Sequence, residues 1–139
     1  MSEEKQQEEA SKKNDKIDVR DITEEAARKD AKLKYTKRLH VTFTTDEGEK
    51  LEGDFEIKRA NINDQGRIGT IMAGLRDDKP ISALDWRTTE LHEAMAVCQV
   101  CVTQAPPWFT MEMYESDVVL RVSEEALAFQ KSFRKSLVK

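Results

Sequence analysis

Few side chains in this chain can do acid–base, redox or metal chemistry, and Cys98, Cys101, His40 and His92 are its only soft-ligand residues. Cys98 and Cys101 form a CxxC. A structural zinc site wants four ligands, usually two such pairs. Completion here would need both histidines, one in a stretch of strand periodicity and one about two turns up the same helix as the cysteines. A redox CxxC needs its first thiol at a helix N-terminus, where the dipole lowers its pKa. This pair lies well inside a helical stretch, with Val97 and Val100 interleaved. The spacing therefore points to reduced, unligated core thiols. His92 has Glu90 and Glu93 beside it, but no nucleophile is placed near them, and a first-turn histidine is the plainer reading. The glycines of GRIGTIMAG precede no GK[ST] and lie in a helix rather than after a strand, so packing accounts for them better than phosphate binding. No catalytic residue, metal or cofactor is assigned, and a non-enzymatic protein is expected.

The segment Pro106 to Tyr114, PPWFTMEMY, has a different composition. It puts Trp108, Phe109, Met111, Met113 and Tyr114 where proline bars a helix from continuing. Some of these residues are expected to cap the core. The others, joined by Trp86, would form an exposed aromatic and methionine-rich surface of the kind that binds partners. Such a patch also finds itself, so a homo-oligomer is expected.

The element carrying this segment is a central helix, expected over Leu84 to Phe109. Leu91, Ala94, Met95, Cys98, Cys101, Val102 and Ala105 recur at steps of three or four and line one stripe. Val97 and Val100 fall outside that stripe, which implies neighbours on both flanks. Asp85 or Thr88 is the expected N-cap, and Ala105-Pro106-Pro107 the stop.

Before it, Leu39, Val41 and Phe43 alternate with polar residues, and after Asp46-Glu47-Gly48 the alternation resumes through Leu51, Phe55 and Ile57. This is a β-hairpin over Tyr35 to Ile57, with Gly48 supplying a positive φ and one face lying on helices. Asn61 to Leu75 reads as a helix capped by Asn63 or Asp64, with Ile68, Ile71, Met72 and Leu75 inward. Its glycines, Gly66, Gly69 and Gly74, suggest close approach to another backbone. A last helix, about Ser116 to Val138, carries Val119, Val122, Ala126, Phe129, Phe133 and Leu137 on one face. Its other face is charged, with acids early and bases late.

Met1 to about Arg20 is a mixed-charge stretch expected to be disordered, followed by an alanine-rich, marginal helix with a capping box of Asp21 and Glu24. The division is thus a charged tail, disordered or partly helical, over 1–33, and one α+β domain over 34–139, a hairpin on about three helices. The chain has 139 residues, 38% hydrophobic and 36% charged. Its 27 acids exceed its 23 lysines and arginines, giving −4 and no basic field for a nucleic-acid backbone. No apolar run reaches the roughly 20 residues of a membrane span, and no signal-peptide apolar region opens the chain, so a cytoplasmic protein is expected.

Three ordered patterns carry a family resemblance: LD-x3-T from Leu84 to Thr89, AP-x-WF from Ala105 to Phe109, and F-x3-FR from Phe129 to Arg134. Over about Lys34 to Lys139 the chain resembles the tail assembly chaperones of tailed bacteriophages. The resemblance implies a small non-enzymatic protein of the infected bacterium's cytoplasm that binds the tape-measure and tail-tube proteins during tail assembly and is absent from the finished virion. A structural virion component of the head–tail connector or baseplate region is the alternative.

Overall fold

The computed structural model describes residues 17–24, 35–77 and 79–135, the side chains of 81, 134 and 135 aside. Its elements are β1 (Ile17–Asp21), β2 (Thr36–Thr44), β3 (Lys50–Lys58), α1 (Ile62–Arg76), α2 (Trp86–Cys101), β4 (Val102–Gln104) and α3 (Ser116–Lys135), with a 3-10 turn at Ile81–Ala83. The strands form one antiparallel sheet in the order β1-β2-β3-β4, and the fold is α+β.

The hairpin forms as its alternation requires. Leu39 stands opposite Phe55, and Phe43 opposite Leu51. In the turn, Gly48 takes φ 90° and donates its N–H to the Thr45 carbonyl at 2.9 Å. The odd-numbered side chains Leu39, Val41, Phe43, Phe55 and Ile57 are buried with α2 and α3 residues in one core. The even-numbered side chains, Arg38, His40, Glu52, Asp54 and Glu56 among them, lie on the other face, as a period of two dictates.

The central helix is shorter than its stripe implied. Asp85 is its N-cap, accepting from the Thr88 N–H at 2.7 Å, but the helix ends at Cys101. Val102, Thr103 and Gln104 turn extended and pair with β3 at Glu56 and Ile57. β-branched residues just ahead of Pro106, beside a strand edge needing partners, favour extended backbone over another helical turn. Val102 and Ala105 therefore leave the helical stripe. Ala94, Ala96, Val97, Cys98, Val100 and Cys101 are buried, and α2 contacts both α1 and α3, so the expected cover on both flanks is present.

Three further expectations change. Ile17–Asp21 is a strand paired along its length with β2, so the domain reaches back to Ile17 at least, and disorder through Arg20 does not hold for these residues. Asp21 ends that strand, its carboxylate accepting from the Thr23 N–H at 2.9 Å. The helix that Asp21 and Glu24 were expected to cap, up to Leu33, and the charged residues before Ile17 lie outside the described residues. In α1 the cap is Asn61: its side chain accepts from the Asp64 N–H at 2.8 Å, and Asp64 accepts from the Asn61 N–H at 3.1 Å. The α1 stripe is only half-buried, and a Cβ added at Gly66, Gly69 or Gly74 would meet nothing within 4 Å, so these glycines approach no backbone. In α3, Val119, Val122 and Ala126 are buried as expected, joined by Val118 and Ser123. Leu137 lies outside the described residues.

Candidate partner-binding surface

The loop from β4 to α3 runs along the free side of β3, where Gly53 makes room for it: a Cβ there would lie 2.6 Å from Pro106 Cβ. Trp108 follows, its ring tilted on Phe43 at 5.1 Å and edge-on to Phe55 at 5.8 Å. Its indole Nε1 donates to the Glu52 carbonyl at 3.1 Å. Phe109 meets Phe55 edge-on at 4.9 Å, and Met113 packs on the same core. Of the six residues assigned to a partner surface, Trp108, Phe109 and Met113 are thus half-buried core cover. Two phenylalanines on the inner face of the hairpin attract the ring and the Glu52 carbonyl takes its N–H, which draws these side chains inward.

Trp86, Met111 and Tyr114 point outward. Tyr114 is 95% exposed, Trp86 70% and Met111 38%. Trp86 begins α2 with the Arg87 guanidinium 5.3 Å from its ring centroid, and Tyr114 closes the loop before α3. Sequence reading missed Ile62, the first residue of α1, which is 88% exposed. Its position after the Asn61 cap, outside the apolar stripe, was the available signal.

Beyond Ile62 lies a second feature. Arg59 sits over Phe133 at 4.3 Å and over Tyr35 at 5.5 Å, and Phe133 meets Phe129 edge-on at 5.0 Å. Arg59 and Tyr35 border an open cleft of about 510 Å³ that Lys58, Asn61, Asp64 and Gln130 also line. The Asp64 carboxylate, buried at this cleft, is held below its usual range first by the Asn61 N–H and then by Lys58 Nζ at 3.2 Å. Its charge is spoken for by the cap and the lysine. A narrower cleft of about 280 Å³ opens between α1 and α3, floored by Val97 and Cys101 and walled by Ile68 and Leu127.

The titratable groups singled out from sequence do not converge. Cys98 and Cys101 are buried free thiols; burial, reinforced by Cys101, pushes Cys98 up to about 12, and burial raises Cys101 too. The Cys98 thiol is donated to the Val119 carbonyl at 3.6 Å. His40 lies on the open face of the sheet, Nδ1 to Asp54 at 2.7 Å and Nε2 to Glu52 at 3.4 Å; Asp54 first, and Glu52 with it, raise its pKa. His92 sits half-buried on α2. Among the described residues no three histidines, cysteines, aspartates or glutamates gather as a metal site would require, and no helix is long and apolar enough to cross a membrane.

The residues that carried the resemblance have local structural tasks. Asp85 caps α2, and Thr89 Oγ1 donates back to its carbonyl at 3.2 Å; Pro106, Trp108 and Phe109 cover the inner face of the hairpin; Phe129 and Phe133 meet edge-on. Compared with protein-family models, with curated proteins and with solved structures, the chain matches none.

Proposed function

We propose that the protein is a non-enzymatic assembly chaperone or adaptor of a tailed bacteriophage, acting in the cytoplasm of the infected host on the tape-measure and tail-tube proteins. Two strands of argument support the reading. The three ordered patterns resemble that family in their order along the chain. The second, which carries the mechanism, is that the chain turns large apolar side chains to solvent at Trp86, the start of α2, and at Met111 and Tyr114, in the loop before α3, while Trp108, Phe109 and Met113 of that loop are packed. A client helix with an apolar stripe would cover these side chains, and the aromatic rings supply contact area at little conformational cost.

Co-expression with a tape-measure fragment tests it. The protein should keep the fragment soluble and co-purify with it, and the Trp86→Ser, Met111→Ser, Tyr114→Ser triple variant, its circular dichroism unchanged, should lose that capture. Capture by the triple variant at the wild-type level refutes the surface. Mass spectrometry of purified particles separates the alternatives: a chaperone is absent from them, whereas a connector or baseplate component is present in stoichiometric copies.

A further inference from the structure

The two edges of the sheet are unlike. On the β3 side, β4 pairs only at Glu56 and Ile57, with a register shift between them, and the loop after it crosses the inner face with Pro106 over Gly53. Outward carbonyls of β3 are taken there by side chains, Glu56 by Thr103 Oγ1 at 3.2 Å and Glu52 by Trp108 Nε1 at 3.1 Å. Irregular register and side chains bonded to outward carbonyls blunt a sheet edge. Among the described residues β1 shows neither: its pairing with β2 is regular, it holds no proline, and no described strand lies beyond it. One hydrogen bond sets the parity of that edge. Ile22 N–H donates to the Arg38 carbonyl at 2.9 Å, continuing the ladder. Even-numbered residues of β1 therefore bond β2, and the N–H and C=O of Ile17 and Val19 point away from the sheet. The side chains of Ile17 and Val19 are half-buried at the margin of the core.

The sequence of β1 selects what fits this edge. IDVRD, written about Val19, places Asp18 and Arg20 one residue to either side. We infer that β1 pairs antiparallel with β1 of a second copy, about a two-fold axis at Val19, joining the two sheets into one. In that register outward amides meet outward carbonyls, Val19 faces its counterpart, and Asp18 stands directly across from Arg20 of the second copy, twice by symmetry. A slide of two residues, the smallest that keeps amides facing carbonyls, sets Asp18 against Asp18 in one direction and Arg20 against Arg20 in the other. The pairing is thus fixed by charge as well as by hydrogen bonding. Within one chain Arg20 Nε already meets Asp18 at 3.0 Å on the outer face, with side chains 74% and 50% exposed, so both can turn to a facing strand. This inference uses a backbone edge and not the aromatic surface, and it stands whether or not the client reading does.

A five-residue strand buries less than the roughly 1,200 Å² of a stable complex, so the dimer is weak and concentration-dependent. Sedimentation equilibrium from about 10 µM to 1 mM, the range that so small an interface calls for, should show it in the wild type. Arg20→Asp and Asp18→Arg each turn two attractive cross-strand pairs into repulsive ones and should weaken it about tenfold, while the Asp18→Arg, Arg20→Asp double variant should restore it. Circular dichroism confirms that each variant is folded. Val19→Cys adds a register test, because facing residues of a hydrogen-bonded pair lie about 5.5 Å apart at Cα, within disulfide range, and the variant should cross-link under mild oxidation. A wild type monomeric at the top concentration overturns the inference, as does a dimer unmoved by either single variant, a charge swap that fails to restore it, or a Val19→Cys dimer that does not cross-link.

Discussion

Trp108→Ala is the substitution that separates a packed side chain from a presented one. The indole contacts Phe43 at 5.1 Å and Phe55 at 5.8 Å and donates to the Glu52 carbonyl at 3.1 Å. A fully buried tryptophan cut to alanine costs about 3–5 kcal/mol. Trp108 is half-buried, so about 2–3 kcal/mol is expected. Within that, each aromatic contact contributes about 0.5–1.5 kcal/mol. The indole hydrogen bond contributes about 1 kcal/mol or less, since water at the exposed edge takes over for the lost donor. Trp108→Phe keeps a six-membered ring but loses the pyrrole part with its donor, so it should cost less than the alanine variant, about 1–2 kcal/mol. Tyr114→Ala is the control: 95% exposed, it should fall within about 0.5 kcal/mol of wild type. Urea unfolding followed by far-ultraviolet circular dichroism reads all three. The reasoning fails if Trp108→Ala and Tyr114→Ala have the same midpoint, because the ring would then contribute nothing to the fold.

Two other side chains give sharp expectations. Gln130 Oε1 accepts from the Ala60 N–H at 2.9 Å and its Nε2 donates to the Ala60 carbonyl at 3.2 Å, so Gln130→Ala should cost about 1–2 kcal/mol in urea unfolding by orphaning a buried amide. Gln130→Glu keeps the acceptor and loses the donor at neutral pH, and its deficit against wild type should shrink below about pH 4, where the carboxyl protonates and can donate again; a deficit that grows on acidification would count against this geometry. Cys98 has a folded pKa pushed up to about 12 by burial and then by Cys101, above that of an unfolded thiol. Its neutral form is what the fold accommodates, so the contribution is fully present below the unfolded pKa and is lost as pH rises beyond about 9, where only the unfolded thiol ionises. Iodoacetamide at pH 8 should label Cys98 and Cys101 only at the rate of unfolding; fast labelling of the native protein would contradict it.

Local pattern made β2, β3 and the body of each described helix legible, because alternation and three-to-four spacing depend on which side chains must be covered and not on what covers them. What depended on distant partners was not legible. The run Ile17 to Asp21 alternates too, but its two apolar residues sit among charges, and only pairing with β2 distinguishes it from the polar residues around it. Val102 to Gln104 continued a helical stripe by composition and became a strand because β3 had an edge to cover. Asn61, Asn63 and Asp64 are all competent caps; the choice of Asn61 uses Asp64 as its reciprocal partner, where Lys58 can reach the buried carboxylate. At the candidate surface the aromatic content located the loop, yet residue type carries no direction. Trp108 and Tyr114 differ in burial because Phe43 and Phe55 lie under one, while the other stands 95% exposed with no described ring beneath it.

The stitching of β3 by Thr103 and Trp108 side chains bears on how far such a sheet can grow. An indole N–H and a hydroxyl satisfy single carbonyls without offering a row of amides beyond them, so that side gives an added strand less to pair with than the regular edge of β1 does. A copy that pairs through β1 uses its most regular edge in doing so, and the expected complex is a closed pair and not a fibre, which requires two open edges on every copy.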